Sequence, residues 1–198
     1  SAFGSAPLTS DASEKVIDGS AFFLLDAIWF ATTEERVLYS TNRGQQWGSG
    51  KLNVTNAVIK SLAFKDNNNG IMLYRTSAAS NAPYRIASTQ NGGASWQSDV
   101  FDPSTLGITP LVVHSSGNKH HVLIGTKGEV YGSDNNGKDW QPILSRPAGD
   151  VNGAIAVSTQ GGTAAIMVGF RSSLLQYRYS GPNGSRILQV ASDTVSYG

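Results

Sequence analysis

Asp18, Asp26, Asp66, Asp99, Asp102 and Asp150 stand among turn-forming residues, and eight arginines are scattered between them: Arg36, Arg43, Arg75, Arg85, Arg146, Arg171, Arg178 and Arg186. Two carboxylates held about 5–10 Å apart across a sugar could cleave a glycosidic bond. Convergent arginines could grip a carboxylate through paired N–H bonds. No spacing in the chain singles out either set. The aspartates serve equally well as turn caps, and Arg36, beside Glu34 and Glu35, reads as a solvated strand edge. His120 and His121 are neighbours on an expected strand, so their rings point to opposite faces and cannot share one ion. His114, on the strand before, could join one of them; the plainer reading is a polar hairpin patch, and no metal is expected. Neither a Gly-x-Ser-x-Gly nucleophile turn leading into a helix nor a glycine phosphate loop with a following helix is present, and no cofactor is expected. Catalytic residues stay unassigned, and the balance leans away from an enzyme.

The elements that would have to position any such group announce themselves through a repeat. Ser/Thr-x-Asn-x-Gly-x-x-Trp occurs three times: Ser40, Asn42, Gly44 and Trp47; Thr89, Asn91, Gly93 and Trp96; Ser133, Asn135, Gly137 and Trp140. The three tryptophans lie 49 and 44 residues apart, a period that signals a repeat architecture. Each position has a local reason. Asn offers a carbonyl that can accept from the backbone two residues on, and it tolerates left-handed φ. Gly supplies positive φ without a Cβ clash, and Ser or Thr adds a second side-chain bond. The indole then folds over the turn and needs an acceptor for its N–H. A β-rich run precedes each copy (36–40, 84–88 and 129–132), as expected for a strand entering a hairpin.

These boxes resemble the Asp-box, or BNR repeat, of sialidases, sortilin-type receptors, xyloglucan-degrading enzymes and a photosystem II assembly factor. The resemblance implies a β-propeller in which each box joins the third and fourth strands of a blade, on the periphery and away from any catalytic pocket. All three copies carry Asn where the family usually has Asp, which keeps the acceptor oxygen and loses the charge. A sialidase would further need an arginine triad, a tyrosine–glutamate pair and an acid aspartate, and none of the arginines matches that family's motif.

Composition agrees with a turn-rich all-β chain: 198 residues, 22 glycines, 15 % charged residues and a net charge of +1. Near-neutrality gives no electrostatic case for nucleic acid or an anionic membrane. No run of eighteen apolar residues suggests insertion into a bilayer. The absence of cysteine excludes disulfides and thiolate-bound metal without deciding the compartment. The chain opens at Ser1 without Met, which reads as a processed or excised product.

Taken in order, residues 1–14 read as an N-terminal arm and 15–198 as one propeller domain. Its blades fall at about 15–52, 54–101, 108–146 and 150–192. The first has strands at 19–24, 28–31 and 37–40. The second has 59–64, a turn cluster from Asp66 to Gly70, then 71–74 and 84–88. The third has 111–114, 121–124 and 129–132. The fourth has 154–158, 164–168 and 173–179, and its box is degenerate, with Pro182 in place of Asn and Ile187 in place of Trp. Four such units form either a small closed ring, which is preferred because open blade faces aggregate, or a slice of a larger propeller. Trp29, outside the boxes, is expected between blades rather than on a ligand platform. The resulting expectation is a non-catalytic binding or scaffold module outside the cytoplasm, secreted or extracytoplasmic, presenting the loops of one propeller face to a protein or glycan. The alternative is a glycoside hydrolase, sialidase-like or glucan-degrading, or a fragment of one.

Overall fold

The computed structural model describes residues 13–115 and 121–144, together with the backbone of four strands beyond them. The first blade consists of β1 (Phe22–Leu24), β2 (Ala27–Ala31), β3 (Arg36–Ser40) and β4 (Gly48–Lys51). The second holds β5 (Val58–Phe64), β6 (Gly70–Arg75), β7 (Tyr84–Thr89) and β8 (Gln97–Phe101). The third holds β9 (Pro110–Ser115), β10 (His121–Gly125), β11 (Val130–Ser133) and β12 (Gln141–Leu144). The fourth holds β13 (Val151–Gln160), β14 (Thr163–Phe170), β15 (Leu174–Tyr179) and β16 (Ser192–Asp193). Each is an antiparallel meander with strands in chain order. No α-helix occurs among the described residues; a 3-10 turn, Pro103–Leu106, lies between β8 and β9.

The innermost strands β1, β5 and β9 pack against one another in turn, so the blades fan out around a common axis as a β-propeller. This makes the middle blade apolar on both faces. Phe64, Leu62, Met72, Ala87 and Trp96 face the first blade, where Trp29 stacks on Phe64 with centroids 4.0 Å apart and rings 13° from parallel. Ala63, Ile71, Leu73 and Ile86 face Val113, Leu123, Tyr131 and Trp140 of the third. A strand covered on both sides needs no alternation, hence the continuous buried run Gly70 to Tyr74. Trp29 is wholly buried between blades, as its sequence context suggests.

Close blade contact also explains Gly50 on β4. A Cβ there would stand 1.9 Å from the carbonyl oxygen of Gly93 in the second blade, so only glycine lets the sheet edge and the neighbouring turn touch.

Two expectations change at the N-terminal side. Glu14, assigned to the arm, is buried. Its carboxylate accepts from Thr32 Oγ1 at 2.7 Å and from Arg36 Nε and Nη2 at 2.9 and 2.8 Å. Arg36 is therefore not a solvated edge but half of a bidentate ion pair. Val16 bridges Thr32 and the Ile17 N–H donates to the Ala31 carbonyl at 2.9 Å, which ties the entering chain to the sheet. Residues 1–12, His120, Arg146, Asp150, Arg171, Arg186 and the expected degenerate box lie outside the described residues.

Candidate functional site

In a meander the first and third turns of a blade share one rim, and the second turn and the exit share the other. The three boxes occupy the first kind of rim, each between the third and fourth strands of its blade. Ser40 Oγ donates to Asn42 Oδ1 at 3.0 Å and accepts from Gly44 N–H at 2.8 Å. Thr89 and Ser133 repeat this with Asn91 and Gly93, at 2.9 and 3.0 Å, and with Asn135 and Gly137, at 3.1 and 3.0 Å. Each Asn carbonyl accepts the backbone N–H four residues on: Gln46 at 2.9 Å, Ser95 at 3.0 Å and Asp139 at 3.0 Å.

The geometry differs from the local argument in two ways. The Asn bond spans four residues rather than two. The left-handed residues are the fourth and fifth of the box, not the Asn: Arg43 and Gly44, Gly92 and Gly93, Asn136 and Gly137 all have positive φ. Two consecutive positive φ values are the signature of a type I′ turn, here set within the seven-residue connection between the third and fourth strands.

The amide nitrogen of each box Asn makes a further bond. Asn42 Nδ2 donates to Gln46 Oε1 at 3.4 Å, Asn91 Nδ2 to Ser95 Oγ at 2.8 Å and Asn135 Nδ2 to Asp139 Oδ2 at 2.7 Å. A carboxylate could not donate any of these bonds.

The boxes are not gathered into one pocket; each is built into its surroundings separately. Trp29 Nε1 donates to the Gly92 carbonyl at 2.8 Å, so a first-blade tryptophan caps the second box. Asn136 Nδ2 donates to Asn69 Oδ1 at 2.8 Å, joining the third box to the β5–β6 turn. That turn is held by Asp66, whose Oδ1 accepts the N–H groups of Asn68 and Asn69 at 2.8 and 2.7 Å. Burial pushes the Asp66 carboxyl up, but the bonds from Asn69 and Asn68 and the charge of Lys65 outweigh it and hold it below its ordinary value.

The opposite rim concentrates the charged chemistry in the second blade. Arg85 Nη1 pairs with Asp102 Oδ2 at 3.0 Å and its Nε lies 3.7 Å from Asp99 Oδ1. Asp99, left-handed at φ 54°, accepts the Tyr74 hydroxyl at 2.7 Å. Burial first, and then the Asp99 bond and charge, raise the Tyr74 phenol far above its usual range, so it stays protonated and donates to Asp99. Asp102 caps the 3-10 turn through Ser104 N–H at 2.9 Å. Burial raises its carboxyl, while Ser104 and Arg85 prevail and lower it overall. Beside this network the Arg75 guanidinium lies 5.8 Å from the centre of the Tyr84 ring. Its Nε and Nη2 are buried with no hydrogen-bond partner. Nothing in the sequence marked Arg75, because its isolation depends on which neighbours the fold brings near. On the same rim of the first blade, Glu35, Lys51, Leu52 and Asn53 line a shallow depression of about 330 Å³.

No catalytic constellation assembles among the described residues. Glu14, Asp26, Glu35, Asp99 and Asp102 are in ion pairs with Arg36, Arg43, Lys51 and Arg85, and Asp66 holds its turn. His114 pairs across the ladder with Val122, and His121 with Ser115. The two histidines therefore sit on opposite faces of the sheet, which excludes a shared ion. Burial lowers the His114 pKa and favours its neutral ring. No cluster of three metal-ligating side chains occurs among the described residues, and no described helix is long and apolar enough to cross a membrane.

No protein-family model matches the chain, and no curated protein matches it in sequence. Solved structures do match in fold. YCF48 from Cyanidioschyzon merolae aligns with TM-score 0.55 and 16 % identity, over 90 % of this chain and 59 % of that one. YCF48 bound to D1 peptide aligns with TM-score 0.57 and 18 % identity, over 93 % and 60 %. The GH74 enzyme of Niastella koreensis aligns with TM-score 0.50 and 15 % identity, over 83 % and 27 %. These neighbours are β-propellers. The chain spans about 60 % of the length of the YCF48 structures it matches.

Proposed function

We propose that the chain is a non-catalytic binding module of the Asp-box type, working outside the cytoplasm, in which the boxes hold the blades and the opposite rim takes an extended acidic peptide. The observation that carries this reading is Arg75. Its Nε and Nη2 form one edge of a guanidinium fork, and that edge lacks any partner. In the first blade Arg36 uses the same two atoms to grip Glu14. A buried guanidinium edge left unpaired is costly, and a carboxylate is its natural complement. Neighbouring Tyr84 and Arg85 supply an aromatic face and further polar contacts of the kind protein interfaces favour. That one neighbouring fold holds a peptide supports a protein ligand over a glycan.

The reading is tested by fluorescence anisotropy with labelled ten-residue peptides, one rich in Glu and one with Gln in its place. The expected result is selective binding of the Glu peptide, weakened about tenfold or more by Arg75→Ala, as loss of a charged hydrogen bond implies. Equal binding of both peptides, or no effect of Arg75→Ala, would overturn it. The glycoside hydrolase reading needs two facing carboxylates free for chemistry, and release of reducing sugar from xyloglucan would restore it.

A further inference from the structure

Register counted from the boxes allows like-for-like comparison of the first three blades. Box residues Ser40, Thr89 and Ser133 pair with Ile28, Gly70 and His121. Between these partners the middle hairpin takes thirteen residues in the first blade (28–40) and thirteen in the third (121–133). In the second blade it takes twenty (70–89). The seven additional residues lie at the rim opposite the boxes. In the first blade the ladder ends where the Thr32 N–H donates to the Arg36 carbonyl at 2.8 Å, and in the third where the Gly125 N–H donates to the Glu129 carbonyl at 2.8 Å. At that level the second blade has reached only the Tyr74–Arg85 pair. It continues through Arg75 and Tyr84, closes with the Thr76 N–H on the Pro83 carbonyl at 3.1 Å, and turns through 77–82. Two further residues on each strand carry this hairpin about 7 Å beyond its counterparts.

The tip of the extension is open yet shaped. Pro83 has no N–H to give, so the ladder cannot zip past it. Within the loop the Ala82 N–H donates to the Ala79 carbonyl at 3.0 Å, and the Ala79 N–H to Ser77 Oγ at 3.3 Å. Ala78, Ala79, Ser80 and Asn81 are exposed, and their short, uncharged side chains leave the backbone N–H and C=O groups within reach. At the base stands the Arg75–Tyr84 pair, with the buried guanidinium edge that lacks a partner. In repeat folds an insertion confined to one unit falls in a loop on one face, often the face that binds. Here the insertion and the unpartnered arginine coincide.

We propose that the extended β6–β7 hairpin is the specificity arm of the Arg75 site. Its tip, residues 77–82, takes the main chain of the acidic peptide by backbone hydrogen bonds and so sets a peptide carboxylate over Arg75 at the base. Given the acidic-peptide reading, on which this role depends, the two parts divide the work. Arg75 selects the charge, and the arm selects a ligand long enough to span tip and base. That span is three or four residues, about 10–13 Å of extended chain, so a peptide reaches both ends and a single amino acid does not.

Fluorescence anisotropy with the labelled Glu peptide and its Gln counterpart tests this on two variants that keep Arg75. In one, 77–82 is exchanged for Thr-Asn-Gly, the turn length of the third blade, where Gly128 is left-handed at φ 82°. Its Kd for the Glu peptide is expected to rise about tenfold or more, as loss of two main-chain hydrogen bonds implies, while the remaining binding still prefers Glu to Gln. In the other, Ala79→Glu sets a like charge on the exposed tip and is expected to raise the same Kd about twofold to fivefold. Ala79 is exposed, so this variant keeps the fold and decides alone if the exchanged turn lowers the melting temperature. An unchanged Kd in both variants would overturn the arm and leave the Arg75 reading standing. Equal binding of the two peptides by the unaltered chain would overturn both.

Discussion

The first and third boxes make nearly the same local bonds and meet different surroundings. In both, the indole N–H donates to the carbonyl of the box glycine at 3.0 Å. In both, the hydroxyl accepts the glycine N–H, at 2.8 Å from Gly44 and 3.0 Å from Gly137. Yet Trp140 is buried and Trp47 is half-covered. The third box presses into the second blade, where Ile86 and Ile71 methyls lie 3.1 and 3.2 Å from a Cβ built on Gly137. Around Gly44 the nearest atoms belong to its own Trp47 ring. Hydrogen bonding in the turn is thus set by the eight residues themselves, whereas its energetic weight is set by the blade in front of it.

Substitutions in matched pairs probe that separation. The largest effect is expected for Trp140→Ala, at about 3–5 kcal/mol, the cost of emptying a buried aromatic site. Trp47→Ala should cost about 1–2 kcal/mol, because less apolar area leaves contact. Denaturant midpoints measure both, and equal losses would break the comparison by showing the turn alone carries the energy. A smaller gap is expected for the glycines. Gly44→Ala should cost about 1 kcal/mol from left-handed strain. Gly137→Ala adds crowding of Ile71 and Ile86, for about 1–3 kcal/mol more. Thermal melts of the two variants would separate strain from overpacking.

The smallest effect sharpens the comparison within the Asn position. Asn135→Asp would set a carboxylate where an amide now donates to Asp139 at 2.7 Å. Asn91→Asp faces only the Ser95 hydroxyl, which can turn to donate. The first should lose about 1 kcal/mol at neutral pH and the second almost nothing, on the scale of like-charge contacts at exposed sites. The sign with pH follows from repulsion. The folded state of Asn135→Asp holds a carboxyl whose pKa is raised, so it binds more protons than the unfolded chain, and the deficit shrinks as pH falls towards about 4. Urea melts at pH 7 and pH 4 would show it, and a deficit that does not change with pH would break the account.

Much of the scaffold is legible before folding. The three boxes identify three hairpins because the Ser/Thr, Asn and Gly bonds that shape each turn join residues within four positions. Strands such as Tyr84–Thr89 and Val130–Ser133 are visible as β-rich runs ending at those turns. What escapes is whatever needs a distant partner. Arg36 finds Glu14 twenty-two residues back, and Trp29 Nε1 finds the Gly92 carbonyl sixty-three residues ahead. Arg43 adopts left-handed φ with no side-chain signal for it, whereas Asn136, which is left-handed in the equivalent place, is a residue type that tolerates it. Arg75 gave no sign because being unpartnered is a property of a neighbourhood rather than of a residue type.

The sequence alone determined the period, the turn chemistry and the all-β class, since these depend on hydrogen bonds and φ preferences that act over a few residues. The tertiary structure decided which box tryptophan is buried, which of the described arginines lacks a carboxylate, and which blade faces meet. Those outcomes depend on burial and on the match between surfaces some fifty residues apart along the chain, about one blade repeat. No local pattern encodes which blade a given face will meet.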